Sequence, residues 1–276
     1  MNITSEDQLQ FNQILSTKKL GRTAYFVKTA ESTNDIAWEK FIEGAPDGTL
    51  IVAEEQTKGR GRRERRWFSP QGGLWSSIIL DTFSLPNAQL GHLPLLVGVA
   101  IAETVKKSLN LNVTLKWPND LLINNKKIGG ILAESRQIKN SGRNNMNNEK
   151  RAVVLGIGLN CNIHKEDFPN NLQMEPTSIM IEKSYQINIM KLLAEILLSI
   201  ENWLYLYLDK GFPIIKSVWK ENSGILGKIV NVDTGSYVFS GKAIDIDDTG
   251  ALIIEEPTGN TKTVIAGDIL LLRETD

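Results

Sequence analysis

The chain changes character near residue 222, and one uniform architecture does not accommodate both sides of that change. Beyond Ser223, six short β-type runs (229–232, 237–239, 243–246, 252–254, 263–265 and 269–272) follow one another closely. Turns at Thr234-Gly235, Asp248-Thr249-Gly250 and Thr258-Gly259-Asn260 separate them. Strands at that density, with no helical period between them, predict a small all-β barrel. We therefore expect two domains, 1–222 and 223–276, with no internal repeat.

Upstream the pattern mixes strands and helices, which predicts an α+β class. Runs 24–28, 49–54, 74–80, 113–117, 121–123, 126–134 and 151–160 read as strands. Ser32 with Asp35 three residues on is a capping-box-like start for a helix carrying Ile36, Trp38, Phe41 and Ile42, closed by Gly44. Leu93, Leu96, Val97, Ala100, Ile101 and Val105 recur with the period of one buried helix face. So do Ile189, Leu193, Ile196, Ile200, Trp203 and Tyr207 in a helix over 188–209, which Gly211 and Pro213 terminate. At most one short helix precedes residue 20. Residues 138–150 are polar and Asn-rich, the composition of a long hairpin connection.

Charge is distributed unevenly. The chain is close to neutral, with a net charge of −1, yet residues 58–66 (K-G-R-G-R-R-E-R-R) carry +5 and the rest −6. A broadly basic nucleic-acid surface is thereby disfavoured, and one concentrated anion site remains. The single cysteine, Cys161, rules out an intrachain disulfide framework and a Cys-rich metal site; it reads as a small core residue. His92 and His164 lack partners at metal-ligand spacing and read as structural or exposed. No apolar stretch approaches the ~20 residues of a membrane span. The N-terminus shows no secretory signal. A soluble, cytoplasmic protein is expected.

Three motifs carry chemistry. In the basic loop, Gly59 and Gly61 permit close backbone approach, and the arginines offer planar forks for phosphate or carboxylate. The loop admits two readings, a clamp over a bound nucleotide or a solvated or nucleic-acid-binding stretch. It is not a P-loop, because the G-x-x-x-x-G-K-[ST] spacing is absent. In K-W-P-N-D at 116–120, Pro118 breaks a strand and displays Asn119 and Asp120 at its edge. Such a pair holds a ribose, a Mg²⁺ or an amine, or forms an ordinary Asx turn. In G-I-G-L-N at 156–160, two strand glycines imply close approach of either a ligand or a packed element.

The order of these signals is more specific than any one of them. S-T-N, then E-Q-T-K-G-R-G-R-R-x-R-x-W, then K-W-P-N-D-L-x(5)-K-x-x-G-I-L, then G-I-G-L-N and a small β domain resembles the biotin–protein ligase (biotin–acetyl-CoA-carboxylase ligase) family. The resemblance spans nearly the whole chain from Ala24. It implies a catalytic domain like class II aminoacyl-tRNA synthetases, with a mixed β-sheet and packed helices, plus a C-terminal SH3-like barrel. The activity it implies is ATP-dependent biotinylation of one lysine of a biotin carboxyl carrier domain, with ATP and biotin as substrates and Mg²⁺ required.

By the same resemblance, Ser32, Thr33, Asn34, Gln56, Arg60, Arg62, Lys127 and Gly130 bind biotin, with Gly59 and Gly61 as hinge glycines. Arg62, Arg65, Trp67, Asn119, Asp120 and Lys127 meet the nucleotide or adenylate, and no protein metal ligands are assigned. Lys127 and Arg62 would neutralise two reacting anions, Asp120 would orient the acceptor amine, and Trp67 would cover adenine. Glu64 departs from the family pattern, which commonly has glycine there; it is expected to stiffen the loop or pair with a neighbouring arginine. The family's bifunctional members carry an N-terminal DNA-binding domain; that domain and its repressor activity are not expected here, nor are nucleic-acid or membrane partners. A monomer or a homodimer is compatible with the sequence. A lipoate–protein ligase of the same fold is the alternative enzyme, and a nucleic-acid-binding module using residues 58–66 the non-enzymatic one.

Overall fold

The computed structural model describes residues 4–81, 90–139 and 149–271. The elements, in chain order, begin with α1 (Ser5–Ile14), β1 (Ala24–Ala30), α2 (Thr33–Ile42), β2 (Leu50–Gln56), β3 (Leu74–Asp81) and α3 (His92–Leu109). There follow β4 (Thr114–Lys116), β5 (Asp120–Ile123), β6 (Lys126–Lys139), β7 (Glu149–Leu159), α4 (Ile179–Lys183), α5 (Ile189–Lys210) and α6 (Phe212–Glu221). The last strands are β8 (Ile229–Asp233), β9 (Val238–Ile246), β10 (Leu252–Glu255), β11 (Thr261–Val264) and β12 (Asp268–Leu271). Most of the connection expected over 138–150 lies outside the described residues.

The first seven strands form one mixed sheet in the order β1-β2-β3-β7-β6-β5-β4, in which only β1 and β2 run parallel. Because side chains alternate across a strand, β2 supplies Leu50 and Val52 to one face and Ile51 to the other. Both faces are covered, so β2 reads as a continuous apolar run rather than an alternating one. The larger core lies under α3 and α5; the smaller one packs Ala37, Trp38 and Phe41 of α2 onto Ile51, Ile79 and Val154. α3 departs from its expected single buried face. Leu95, Val99 and Ala102 are buried as well, because α5, α6 and the strands surround the helix.

Two helices were not anticipated. α4 is too short to establish a period. α6 begins where Pro213 was read as a terminator; proline in a first helical turn has no intrahelical N–H bond to lose, so it starts α6 after the Gly211 break.

β8 to β12 form a five-stranded antiparallel, SH3-like sheet in the order β11-β10-β9-β8-β12. Runs 237–239 and 243–246, read as two strands, are parts of the single strand β9. Gly241 lies within it, where a Cβ would meet Ile254 Cγ2 of the neighbouring β10 at 2.4 Å. This sheet is joined to the first by specific bonds. On the segment entering β8, Gly224 N–H donates to Leu115 O at 2.8 Å, and Trp117 Nε1 donates to Gly250 O in the β9–β10 turn at 2.9 Å.

His92 is buried at the same junction, stacked on Phe212 at 3.7 Å. Nε2 faces Asp248 O at 3.0 Å and Nδ1 faces the Tyr207 hydroxyl at 2.9 Å, so Nε2 carries the proton of a neutral ring. Burial holds its pKa below 6.5, although the Asp248 carbonyl and the Asp247 and Asp248 carboxylates oppose that shift; Lys216 pairs with Asp248 nearby. The unfolded chain therefore takes up this proton first as pH falls. Stability is expected to decline below about pH 6.5, and His92→Phe to flatten that part of a melting-temperature profile between pH 7 and 5. An unchanged slope would remove His92 from that role.

Candidate active site

A cleft of about 710 Å³ opens where the N-terminus of α2, the basic loop, the β4–β5 hairpin and β12 converge. Its wall includes Ser32, Thr33, Asn34, Gln56, Arg60, Gly61, Arg62, Arg65, Trp67, Asn119, Asp120, Lys127 and Gly130. Gly59 is not on the wall. It packs behind the loop, where a Cβ would meet Ser69 Oγ at 2.5 Å.

At one end, Thr33 donates from both its backbone N–H and Oγ1 to Gln56 Oε1, at 2.8 and 3.1 Å. Ser77 Oγ lies 2.6 Å from Asn34 Oδ1, and Asn34 Nδ2 donates to Glu134 at 2.8 Å. The capping box expected of Ser32 and Asp35 does not form. Ser32 occupies the N-cap without a side-chain cap bond, while Asp35 pairs with Arg60 at 2.5 Å. Glu134 lies 3.5 Å from the same guanidinium. The hydrogen bond that Arg60 donates to Asp35 chiefly raises its pKa, and the guanidinium is thus anchored by two carboxylates.

The basic loop is a hairpin held by Gly61 N–H to Arg65 O (2.7 Å) and Trp67 N–H to Gly59 O (2.8 Å). Arg63 and Glu64 at its tip have φ of 52° and 58°. Position 64 is thus in the left-handed region, which glycine adopts at least cost. Glu64 is exposed and forms no ion pair among the described residues, so the expected pairing with a neighbouring arginine is not formed.

Three loop arginines instead converge on Asp268, the first residue of β12. Arg62 approaches it at 3.8 Å, Arg63 at 3.1 Å, and Arg65 forms a third pair. Arg62 also donates to Gly267 O at 3.0 Å. Burial lowers the pKa of Arg62, with Asp268 opposing the shift.

Trp67 lies against the inner wall, where Gly130 and Gly158 are cross-strand partners in β6 and β7. A Cβ on Gly158 would stand 2.6 Å from Trp67 Nε1, and one on Gly156 would stand 2.5 Å from Asn34 Oδ1. The strand glycines thus serve close approach by cleft-lining side chains. Trp67 Nε1 is buried with no hydrogen-bond partner.

Opposite stands Asp120, with Lys127 Nζ at 2.5 Å from Oδ1 and Lys116 Nζ at 3.0 Å from Oδ2. Burial alone would raise the pKa of Asp120, but the charges and hydrogen bonds of the two lysines outweigh it, and the net shift is downward. Lys127 Nζ also sits 5.0 Å from the Trp67 ring centroid. Its backbone is pinned by Glu175 O and Thr177 N, at 2.8 and 2.9 Å. Asn119 Nδ2 donates to Ile131 O at 2.7 Å, tying the hairpin to β6.

Sequence reasoning did not single out Lys116, Glu134, Asp268 or the wall segment 168–174. Only Lys116 had a usable signal, since a tight hairpin through Pro118 sets residues 116 and 120 opposite each other. Cys161 is buried away from the cleft, its thiol pushed up by burial. His164 is exposed.

Among the described residues, no group of three His, Cys, Asp or Glu side chains is placed to hold a metal ion. Asp120 and Asp268, the carboxylates on the cleft wall, both already face cations. The arrangement suits a ligand with more than one negative charge, placed among lysine and arginine donors in a partly enclosed cleft.

Residues 26–160 match the biotin/lipoate A/B protein ligase family, and residues 225–272 match the biotin protein ligase C-terminal domain. The chain is 35% identical to the bifunctional ligase/repressor BirA of Bacillus spizizenii, over 97% of this chain and 79% of that one. It is 30% identical to the biotin–[acetyl-CoA-carboxylase] ligase of Paracoccus denitrificans, over 83% of this chain and 92% of that one. Among solved structures, the biotin protein ligase of Aquifex aeolicus in complex with biotin and ATP superposes with a TM-score of 0.76 at 26% identity, covering 92% of this chain and 100% of the other. Sequence and architecture agree over both parts of the molecule, and the chain belongs to the biotin–protein ligase family.

Proposed function

We propose that this chain activates biotin with ATP to biotinyl-5′-AMP and transfers biotin to a lysine of a biotin carboxyl carrier domain. The observation that carries this reading is the placement of Lys127, Arg62, Asp120 and the Gly130–Gly158 wall around one cleft. In the first step a biotin carboxylate oxygen attacks the α-phosphorus. The bond from that phosphorus to the bridging oxygen breaks, and pyrophosphate leaves with the electron pair. Both reactants are anions, so Lys127 and Arg62 reduce their repulsion and hold them in line. A Mg²⁺ ion arriving with the nucleotide would add neutralisation of the phosphate charge, and no carboxylate cluster among the described residues is placed to hold it.

In the second step the carrier amine attacks the acyl carbon, forming the amide. The acyl–oxygen bond breaks, AMP leaves with that pair, and the nitrogen's displaced proton passes to solvent. With a depressed pKa, Asp120 is a poor base and a good acceptor of an N–H bond, so it orients the amine. The loop, held on Asp268, keeps water from the mixed anhydride. Residues 1–222 form the catalytic domain in this reading, and 223–276 supply the loop's anchor. Three loop arginines share Asp268, which disfavours their use as a free nucleic-acid patch.

Calorimetric titration tests the reading against a lipoate ligase. Biotin is expected to bind and lipoate not to bind, and ATP–Mg²⁺ is expected to convert reversible biotin binding into retention as the adenylate. Preferential retention of lipoate would reverse the assignment.

A further inference from the structure

Lys116 is a buried lysine that neither step above uses. It ends β4 and is the register partner of Asp120 across the β4–β5 hairpin. One carboxylate is thus shared by two ammonium groups, one on each oxygen. The two lysines differ in freedom. The Lys116 side chain is 6% exposed, against 25% for Lys127, and Asp120 is the one anion paired with Lys116 among the described residues.

Lys127 has a second task in the proposed function, on which this inference rests. When Lys127 turns to the reacting anions, Asp120 loses one of its two partners. A buried carboxylate without a counter-charge takes up a proton or pulls its cation back. Lys116, enclosed on its strand, stays.

We infer that Lys116 is a positioning residue of the transfer step: it keeps the Asp120 carboxylate anionic and aimed at the incoming amine while Lys127 holds the adenylate. Its charge has a second effect of the same sign. Lys116 from β4 and Lys127 from β6 pair with Asp120, and the guanidinium of Arg62, paired with Asp268 of β12, adds its charge from the basic loop on the same cleft. Three cations around one carboxylate leave a positive field, which favours the neutral, nucleophilic form of the acceptor lysine. Removing Lys116 makes both Asp120 and the acceptor amine easier to protonate, so the acid limb of transfer moves to higher pH.

The test separates the two steps in the full chain. Pyrophosphate exchange reports adenylate formation, and single-turnover transfer from supplied biotinyl-AMP to a carrier domain, between pH 6 and 9, reports the second step. Lys116→Met is expected to leave exchange within about threefold of wild type. Transfer is expected to slow by about 30-fold or more, with the acid limb raised by about one pH unit. Lys116→Arg is expected to restore most of the transfer rate.

Equal loss of both steps, or slowed transfer with an unmoved acid limb, overturns the inference. If Lys116→Met does not fold, carboxyl-carbon NMR of Lys127→Gln decides. Asp120 remaining ionised down to pH 5 supports Lys116 as its holder, and uptake of a proton near neutrality refutes it. A wild-type chain that exchanges no pyrophosphate would overturn the function itself, a different failure from either of these.

Discussion

Lys127→Ala is expected to lower pyrophosphate exchange by about 10²–10³-fold, the usual effect of removing one preorganised donor from developing charge. The fold should survive, because Asp120 keeps Lys116 at 3.0 Å and the backbone of Lys127 is held independently by Glu175 and Thr177. Biotin binding without ATP should weaken much less than exchange, since the contacts among Thr33, Asn34, Gln56 and Glu134 do not involve the missing ammonium. A melting curve close to wild type, together with lost exchange, is the expected pair of results. Near-wild-type exchange would refute the role assigned to Lys127.

Asp268→Lys is expected to release the basic loop. The substitution replaces the shared partner of Arg62, Arg63 and Arg65 with a like charge. Partly exposed pairs of this kind contribute up to about 1 kcal/mol each. Their combined loss, about 2 kcal/mol, corresponds to roughly 30-fold shorter retention of the adenylate. Labelling of lysines on bystander proteins is the direct measurement, and it should rise while exchange continues. Asp268→Asn should give an intermediate effect. In wild type, added salt should shift retention in the same direction, since these groups are only partly shielded from solvent. If Asp268→Lys leaks no more adenylate than wild type, the anchoring of the loop is not what retains it.

The sequence made the larger elements legible because their periods are dictated by burial on one or both faces. The strand assigned to 49–54 and the helix carrying Leu193, Ile196 and Ile200 are such cases. α6 was hidden because proline at a helix start and proline after a helix end look alike when the neighbouring helix is only one residue away. Lys127, Arg62 and Asp120 were legible from motif order, and the structure brings them onto one cleft. Asp268 was not. Its partners lie more than two hundred positions earlier, and an aspartate opening a short strand carries no local mark of that distance. The capping box was misread for a related reason: Asp35 has a stronger option in Arg60, which local sequence does not reveal.

The paired glycines of β6 and β7 leave part of the inner wall made of peptide planes instead of side chains. Such a surface has no rotamers, so its contour is set by strand register and varies little with temperature or neighbouring substitutions. It also offers few positions at which an altered side chain could reshape the cleft without displacing Trp67 or Asn34. Directed change of the cleft's shape is therefore expected to concentrate on residues 168–174, whose replaceable side chains line the same cleft.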